Sequence, residues 1–127
     1  MYIAEIIGRI FLSALFLLEG IGKIFNYEGT IDYMESFSVP GYLLAPAIIV
    51  EILFPILLII GYKTKLSAIV LALFTILVAI IFHNDFSNHM QLIAFLKNFA
   101  IAGGFLIIFV YGPNKYSIDY ISKSKQK

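Results

Sequence analysis

Seven polar side chains stand inside otherwise apolar runs of this sequence: Arg9, Glu19, Lys23, Glu51, His83, Lys97 and Asn98. An ionised group at the centre of a lipid-embedded helix costs at least about 2.5 kcal/mol, so each must find a counter-charge, a hydrogen-bond partner or water. Glu51 is the central one, flanked by the apolar residues Ile48 to Val50 and Ile52 to Leu57. A carboxylate so placed can hold a proton, accept a hydrogen bond from a ligand, or simply lock helices together. Arg9 offers the planar fork that matches a carboxylate in two parallel bonds. Pro55, four residues after Glu51, has no N–H, so the Glu51 carbonyl loses its helical partner. That places a helix kink and a free acceptor beside the carboxylate.

Other chemistries are poorly supplied. The chain has no Cys, which excludes disulfides, thiolate metal sites and thiol redox steps. Two His and no Cys give no zinc cage, so no metal is expected. Haem ligation by His83 and His89 would require fixed axial geometry, and His89 reads as a loop residue.

Depth and facing suggest how the polar residues meet. Arg9 can climb toward Glu51 from one side of the membrane. Glu19, Lys23, His83 and Lys97 lie within roughly 10 Å of the other side at helical rise. Glu19 and Lys23 are also an i,i+4 pair in the favourable order. Arg9, Ser13, Phe16, Gly20 and Lys23 fall on one helical stripe. Ala72, Thr75, Ala79 and His83 form a second, and Lys97, Ala100 and Gly104 a third. Small residues mark close helix contacts in lipid, so each stripe is expected to turn its polar residue inward. Whether Arg9 and Glu51 fix packing or serve a ligand stays open at this point.

The elements that carry these residues follow from composition. Of 127 residues, 61% are hydrophobic and 13% charged, and mean hydropathy is +0.94. A soluble domain is near half apolar and a quarter charged, so a water-soluble monomer is excluded. The net charge of +1 argues against nucleic acid as a partner. A spanning helix needs about 20 apolar residues, and four runs qualify, near 3–25, 42–61, 66–83 and 92–111, followed by a tail at 112–127. Period-2 alternation is missing, so helices rather than a β-barrel are expected. The first run is expected to stay in the mature protein, because Met1 to Glu5 carries an acid and no base. The expected fold is all-α: one membrane domain over 1–127, a four-helix transmembrane bundle.

Loop charge sets direction. Lys63 and Lys65 follow the second run, and Lys115, Lys123, Lys125 and Lys127 follow the fourth. The segments 26–41 and 84–91 hold no Lys or Arg. By the positive-inside rule both termini are cytoplasmic. In the first outer loop a short helix capped by Thr30 would turn Ile31, Met34 and Phe37 to one face and lie in the interface. Tyr27, Tyr42, Tyr62 and Tyr111 sit at span ends as belt residues.

The order of short motifs also resembles a known family. Gly8-Arg9-Ile10 opens the first span, and Gly20-Ile21-Gly22-Lys23 closes it, followed by Asn26-Tyr27-Glu28-Gly29-Thr30. Glu51 comes next, then Gly61-Tyr62-Lys63-Thr64-Lys65, Phe82-His83-Asn84, Phe95-Leu96-Lys97-Asn98 and Gly112-Pro113. Over about residues 8–120 this resembles the DoxX family of small four-helix membrane proteins. The resemblance implies a multi-pass protein of the cytoplasmic (inner) membrane. Members have been tied to quinone-linked sulfur oxidation, as a small membrane subunit, and to oxidative-stress complexes. The family pattern falls on Arg9, Lys23, Glu51, His83, Lys97 and Asn98. The chain departs from it at Glu19, where relatives carry a small or apolar residue, and at Ala94, where many carry His.

The resulting expectation is a small membrane subunit of a redox or quinone-linked complex, not catalytic alone. Its partners would be the lipid bilayer, redox-enzyme subunits and further copies of itself. Quinone is the expected ligand and no cofactor is bound covalently. The alternative is an oligomeric transporter or channel for protons or small solutes, with Glu51 as the membrane carboxylate.

Overall fold

The computed structural model describes residues 2–112. The Lys-rich tail and its part in the charge argument lie outside the described residues. The elements are α1 (Tyr2–Phe25), α2 (Tyr27–Ser36), a short 3-10 turn (Gly41–Leu43), α3 (Leu44–Ile60), α4 (Thr64–Phe82) and α5 (His89–Tyr111). The described residues contain no strand.

Three segments are long and apolar enough to cross a bilayer: Gly41–Ile60, Thr64–Phe82 and His89–Tyr111. Helix α1 has 24 residues, but every stretch of 18 within it contains three of Glu5, Arg9, Glu19 and Lys23. The buried stripe of α1 is Arg9, Ser13, Phe16 and Gly20, with Lys23 half-buried at its end. Its opposite face exposes Ile3, Ile7, Phe11, Leu18 and Ile21. This is the reverse of a soluble helix, polar inward and apolar outward.

Helices α1 and α4 run one way and α3 and α5 the other. Contacts are extensive between α4 and α5, between α1 and α3, and between α3 and α4, while α1 and α5 touch lightly. The core gathers Phe16, Leu58, Ala68, Leu71, Ala72, Ala102 and Phe105. Small residues on α4 and α5 let these helices approach closely, so dispersion contacts replace the hydrophobic drive that lipid does not supply. Phe16 meets Phe105 edge-on with ring centroids 5.5 Å apart.

The α3–α4 turn is tight because Gly61 takes φ +76. In that conformation the Gly61 and Tyr62 amides both donate to the Leu57 carbonyl, at 2.9 and 3.0 Å. This closes α3 with the six-to-one bond of a glycine-terminated helix.

Three expectations need correction here. Helix α5 starts at His89, three residues before the expected boundary, because the Asn88 Oδ1 accepts the Met90 amide at 3.0 Å. His89 is therefore helical and not a loop residue. Helix α2 starts at Tyr27, directly after α1, and Thr30 lies inside it, its hydroxyl donating to the Asn26 carbonyl at 2.8 Å. Finally, Lys97 and Ala100 are exposed, whereas Asn98, Ala102 and Phe105 turn inward. The stripe drawn through Lys97 is thus one residue out of phase with the packed face of α5.

Candidate functional site: an ion pair at the wall of an apolar cavity

The register of α1 against α3 is set by Gly20. A Cβ there would lie 2.8 Å from Ile52 Cγ1 and 3.2 Å from Glu51 Cβ. Bare backbone at this point lets α1 seat against α3 beside the central carboxylate. Lys23, one turn further along, then reaches Glu51. Its Nζ lies 2.5 Å from Oε1 and 2.8 Å from Oε2, so the ammonium straddles both oxygens. Glu51 is 2% exposed and Lys23 27%.

Glu51 was expected to face Arg9, and the structure pairs it with Lys23 instead. With Gly20 level with Glu51, Arg9 stands eleven residues away along α1, roughly 16 Å at helical rise. No arginine side chain covers that distance. Arg9 is instead packed at 2% exposure near the other end of the bundle, and its Nε and Nη1 have no hydrogen-bond partner. The Glu19–Lys23 pairing is also not formed: Glu19 is exposed and Lys23 is turned to α3.

Beside the ion pair lies a cavity of about 650 Å³. Its walls are Leu44, Pro46, Ala47 and Val50 from α3, and Phe74, Leu77, Val78 and Ile81 from α4. Helix α2 closes one end with Thr30, Tyr33 and Met34. The polar groups that reach the cavity are Glu19, Lys23, Asn26, Thr30, Glu51 and His83. A large apolar chamber with few convergent polar groups is the usual form of a small-molecule site. Behind the pair is a second, smaller void of about 60 Å³, lined by Glu19, Lys23, Glu51, Thr75 and Asn98 among others. Lys23 and Glu51 thus border both spaces.

The remaining expected site residues divide. His83 lines the cavity, and its Nδ1 lies 3.0 Å from Gln91 Oε1, joining the end of α4 to the start of α5. Asn98 donates from Nδ2 to the Thr75 carbonyl at 3.4 Å, while the Thr75 hydroxyl donates to the Leu71 carbonyl at 2.6 Å. Pro55 is buried inside α3, one turn below Glu51. Lys97 lines neither space. Among the described residues no group of His, Asp and Glu is placed to hold a metal ion.

Sequence reasoning missed the role of α2. Tyr33 stacks on Phe82 with centroids 5.5 Å apart, and Phe37 meets both rings, at 5.0 Å from Tyr33 and 5.1 Å from Phe82. This trio ties α2 down onto the end of α4, so the helix roofs the cavity. The available signal was the aromatic spacing at Tyr33 and Phe37, opposite a span that ends in Phe82.

The chain is 37% identical over 123 residues to the inner membrane protein YqjF of Escherichia coli K12, covering 97% of this chain and 95% of the relative. It is 32% identical over 121 residues to the inner membrane protein YphA of the same strain, covering 90% and 86%. The SURF4 family matches residues 47–125. No solved structure matches. With three segments able to cross a bilayer and inner-membrane relatives over nearly its whole length, the protein resides in the inner membrane. The DoxX family matches residues 4–84, a stretch that carries both partners of the ion pair and the roof of the cavity, and the chain belongs to that family.

Proposed function

We propose that this protein binds an apolar ring bearing hydrogen-bonding oxygens, of the quinone class, and acts as a small, non-catalytic membrane subunit of a redox assembly. The observation that carries the reading is the cavity of about 650 Å³ with the Lys23–Glu51 pair in its wall. The fit is chemical. The Lys23 ammonium is a donor for a carbonyl oxygen, and the Glu51 carboxylate is an acceptor for a hydroxyl. One pair therefore suits both the oxidised and the reduced form of such a ring, while Val50, Phe74 and Val78 pack its faces. When bound, the ring would supply the redox chemistry, and this chain would position it and exclude water.

The topology that goes with this reading has four spans and both termini in the cytoplasm. Helix α1 joins the other three because its charges at Arg9 and Lys23 are turned inward and its outer face is apolar. Lys63 and Lys65 mark the cytoplasmic turn. On the other side, Lys23 is neutralised by Glu51. Helix α2 and the cavity then occupy the outer half of the membrane.

The test is equilibrium binding of a soluble naphthoquinone to the full chain in mild detergent, read by melting temperature. Saturable stabilisation that is lost in Glu51→Gln and Lys23→Met is expected. No stabilisation of the native chain removes the reading. Purification from native membranes should recover an oxidoreductase subunit alongside.

A second reading, an oligomeric conductor of protons or small solutes, draws on the position of Lys23 and Glu51 between two voids. Liposome flux that is unchanged by Glu51→Gln eliminates it.

A further inference from the structure

Helices α1 and α5 touch only lightly. A Cβ on Gly104 would lie 3.3 Å from Leu12 Cδ1, and Phe16 touches Phe105 beside it. Seven residues along α1 from Leu12 is Glu19, and seven residues back along α5 from Gly104 is Lys97. A seven-residue step returns to nearly the same helix face, about 20° off, and rises roughly 10 Å. The helices are antiparallel, so Glu19 and Lys97 stand at one height on facing sides of the same groove.

Exposure rises toward them. On α5 the stripe passes from half-buried Gly104 to exposed Ala100 and Lys97. On α1 it passes from half-buried Leu12 to exposed Leu15 and Glu19. Neither charge forms an ion pair among the described residues. Behind the groove lies the small void lined by Glu19, Asn98, Thr75 and the Lys23–Glu51 pair. A carboxylate and an ammonium that face lipid unpaired are costly, and drawing α1 and α5 together would bring them within reach of one another.

We propose that the α1–α5 groove is the lateral entrance from the bilayer to the Lys23–Glu51 site, and that Glu19 and Lys97 are its latch. This rests on the ligand reading above. In the structure the latch is unpaired. A membrane-dissolved ring passes between the two charges, reaches Asn98, and then meets the pair. Pairing of Glu19 with Lys97 closes the path.

The chain has no Cys, so E19C/K97C carries a single thiol pair. The full chain in liposomes is oxidised, and the cross-link is read by mass spectrometry. Dicyclohexylcarbodiimide, which reaches carboxyl groups from the lipid phase, then probes Glu51. An intramolecular disulfide is expected, with Glu51 labelled in the reduced protein, severalfold slower in the locked one, and restored by reductant. L12C/G104C, where the helices already touch, should lock without slowing the label. Three results overturn the proposal: a disulfide that forms only between two copies or not at all, equal labelling of locked and reduced protein, or no Glu51 labelling in the reduced protein. Failure of naphthoquinone to bind the native chain would remove the ligand reading while leaving the labelling comparison decisive for the entrance.

Discussion

Lys23 and Glu51 are 28 residues apart in sequence, yet the ammonium of one spans both carboxylate oxygens of the other at 2.5 and 2.8 Å. The carboxylate is 2% exposed and so depends on this partner. Removing one member strands a charge, which for a buried pair costs about 3–5 kcal/mol. Lys23 is 27% exposed, so the lower part of that range applies. Lys23→Ala should therefore lower the melting temperature more than Lys23→Ala combined with Glu51→Ala. Thermal unfolding in detergent across the four-member cycle checks this, and additive losses would show that the pair carries no coupling.

Arg9 and Glu51 give the contrasting cycle. Residues more than about 10 Å apart with no shared partner combine additively within about 0.5 kcal/mol. Arg9→Ala and Glu51→Ala should therefore add. A coupling above about 1 kcal/mol would place Arg9 against Glu51 after all.

Gly20 supplies the third prediction. A side chain there meets Glu51 Cβ at 3.2 Å and Ile52 Cγ1 at 2.8 Å, so Gly20→Val must push α1 away from α3. Overpacking of this kind costs about 1–3 kcal/mol. Gly103 on α5 has nothing within 4 Å of an added Cβ, so Gly103→Ala is the control that should not destabilise. Melting curves of the two variants should differ, and an undisturbed Gly20→Val would mean that α1 and α3 are not in close contact.

These particular residues also show how far the sequence could be read. The stripe Arg9, Ser13, Phe16, Gly20 and Lys23 was legible because a lipid-embedded helix hides its polar and small residues at a fixed angular period, and the structure buries that stripe. The partner of Glu51 was not legible. Choosing between Arg9 and Lys23 requires the axial register of two helices, and that register comes from a backbone contact at Gly20 which no periodicity encodes. Lys97 was misplaced for a related reason. The stripe Lys97, Ala100 and Gly104 meets α1 at Gly104, but the packed face of α5 runs one residue over, through Asn98, Ala102 and Phe105, and a narrow difference in phase is not resolved by the spacing of small residues. Helix α2 was legible as an amphipathic segment, while its docking through Tyr33, Phe37 and Phe82 depends on where α4 ends in space.

Arg9 carries a prediction of its own. The residue is 2% exposed, and its Nε and Nη1 meet no acceptor. Replacing a buried charge by an apolar residue of similar volume is often neutral or stabilising. Arg9→Met should therefore fold and melt at or above the native temperature. A loss comparable to that of Lys23→Ala would reveal a counter-charge on Arg9 supplied in the membrane.

The roof of the cavity gives the last. Tyr33 lies nearly parallel to Phe82, with an interplanar angle of 18°, and Phe37 meets Phe82 at 62°. Aromatic pairs contribute about 0.5–1.5 kcal/mol beyond the area they bury, and α2 has only ten residues, too few to be helical without docking. Phe82→Ala removes the ring shared by both contacts, so α2 should loosen as a unit while α4 and α5 stay packed through Ala72, Thr75 and Ala102. Hydrogen exchange reads this directly. Amides of 28–36 should lose protection, and those of 68–79 should keep it. Uniform loss across both segments would mean that Phe82 supports the whole bundle, and unchanged protection in α2 would mean that the helix is held by contacts other than these rings.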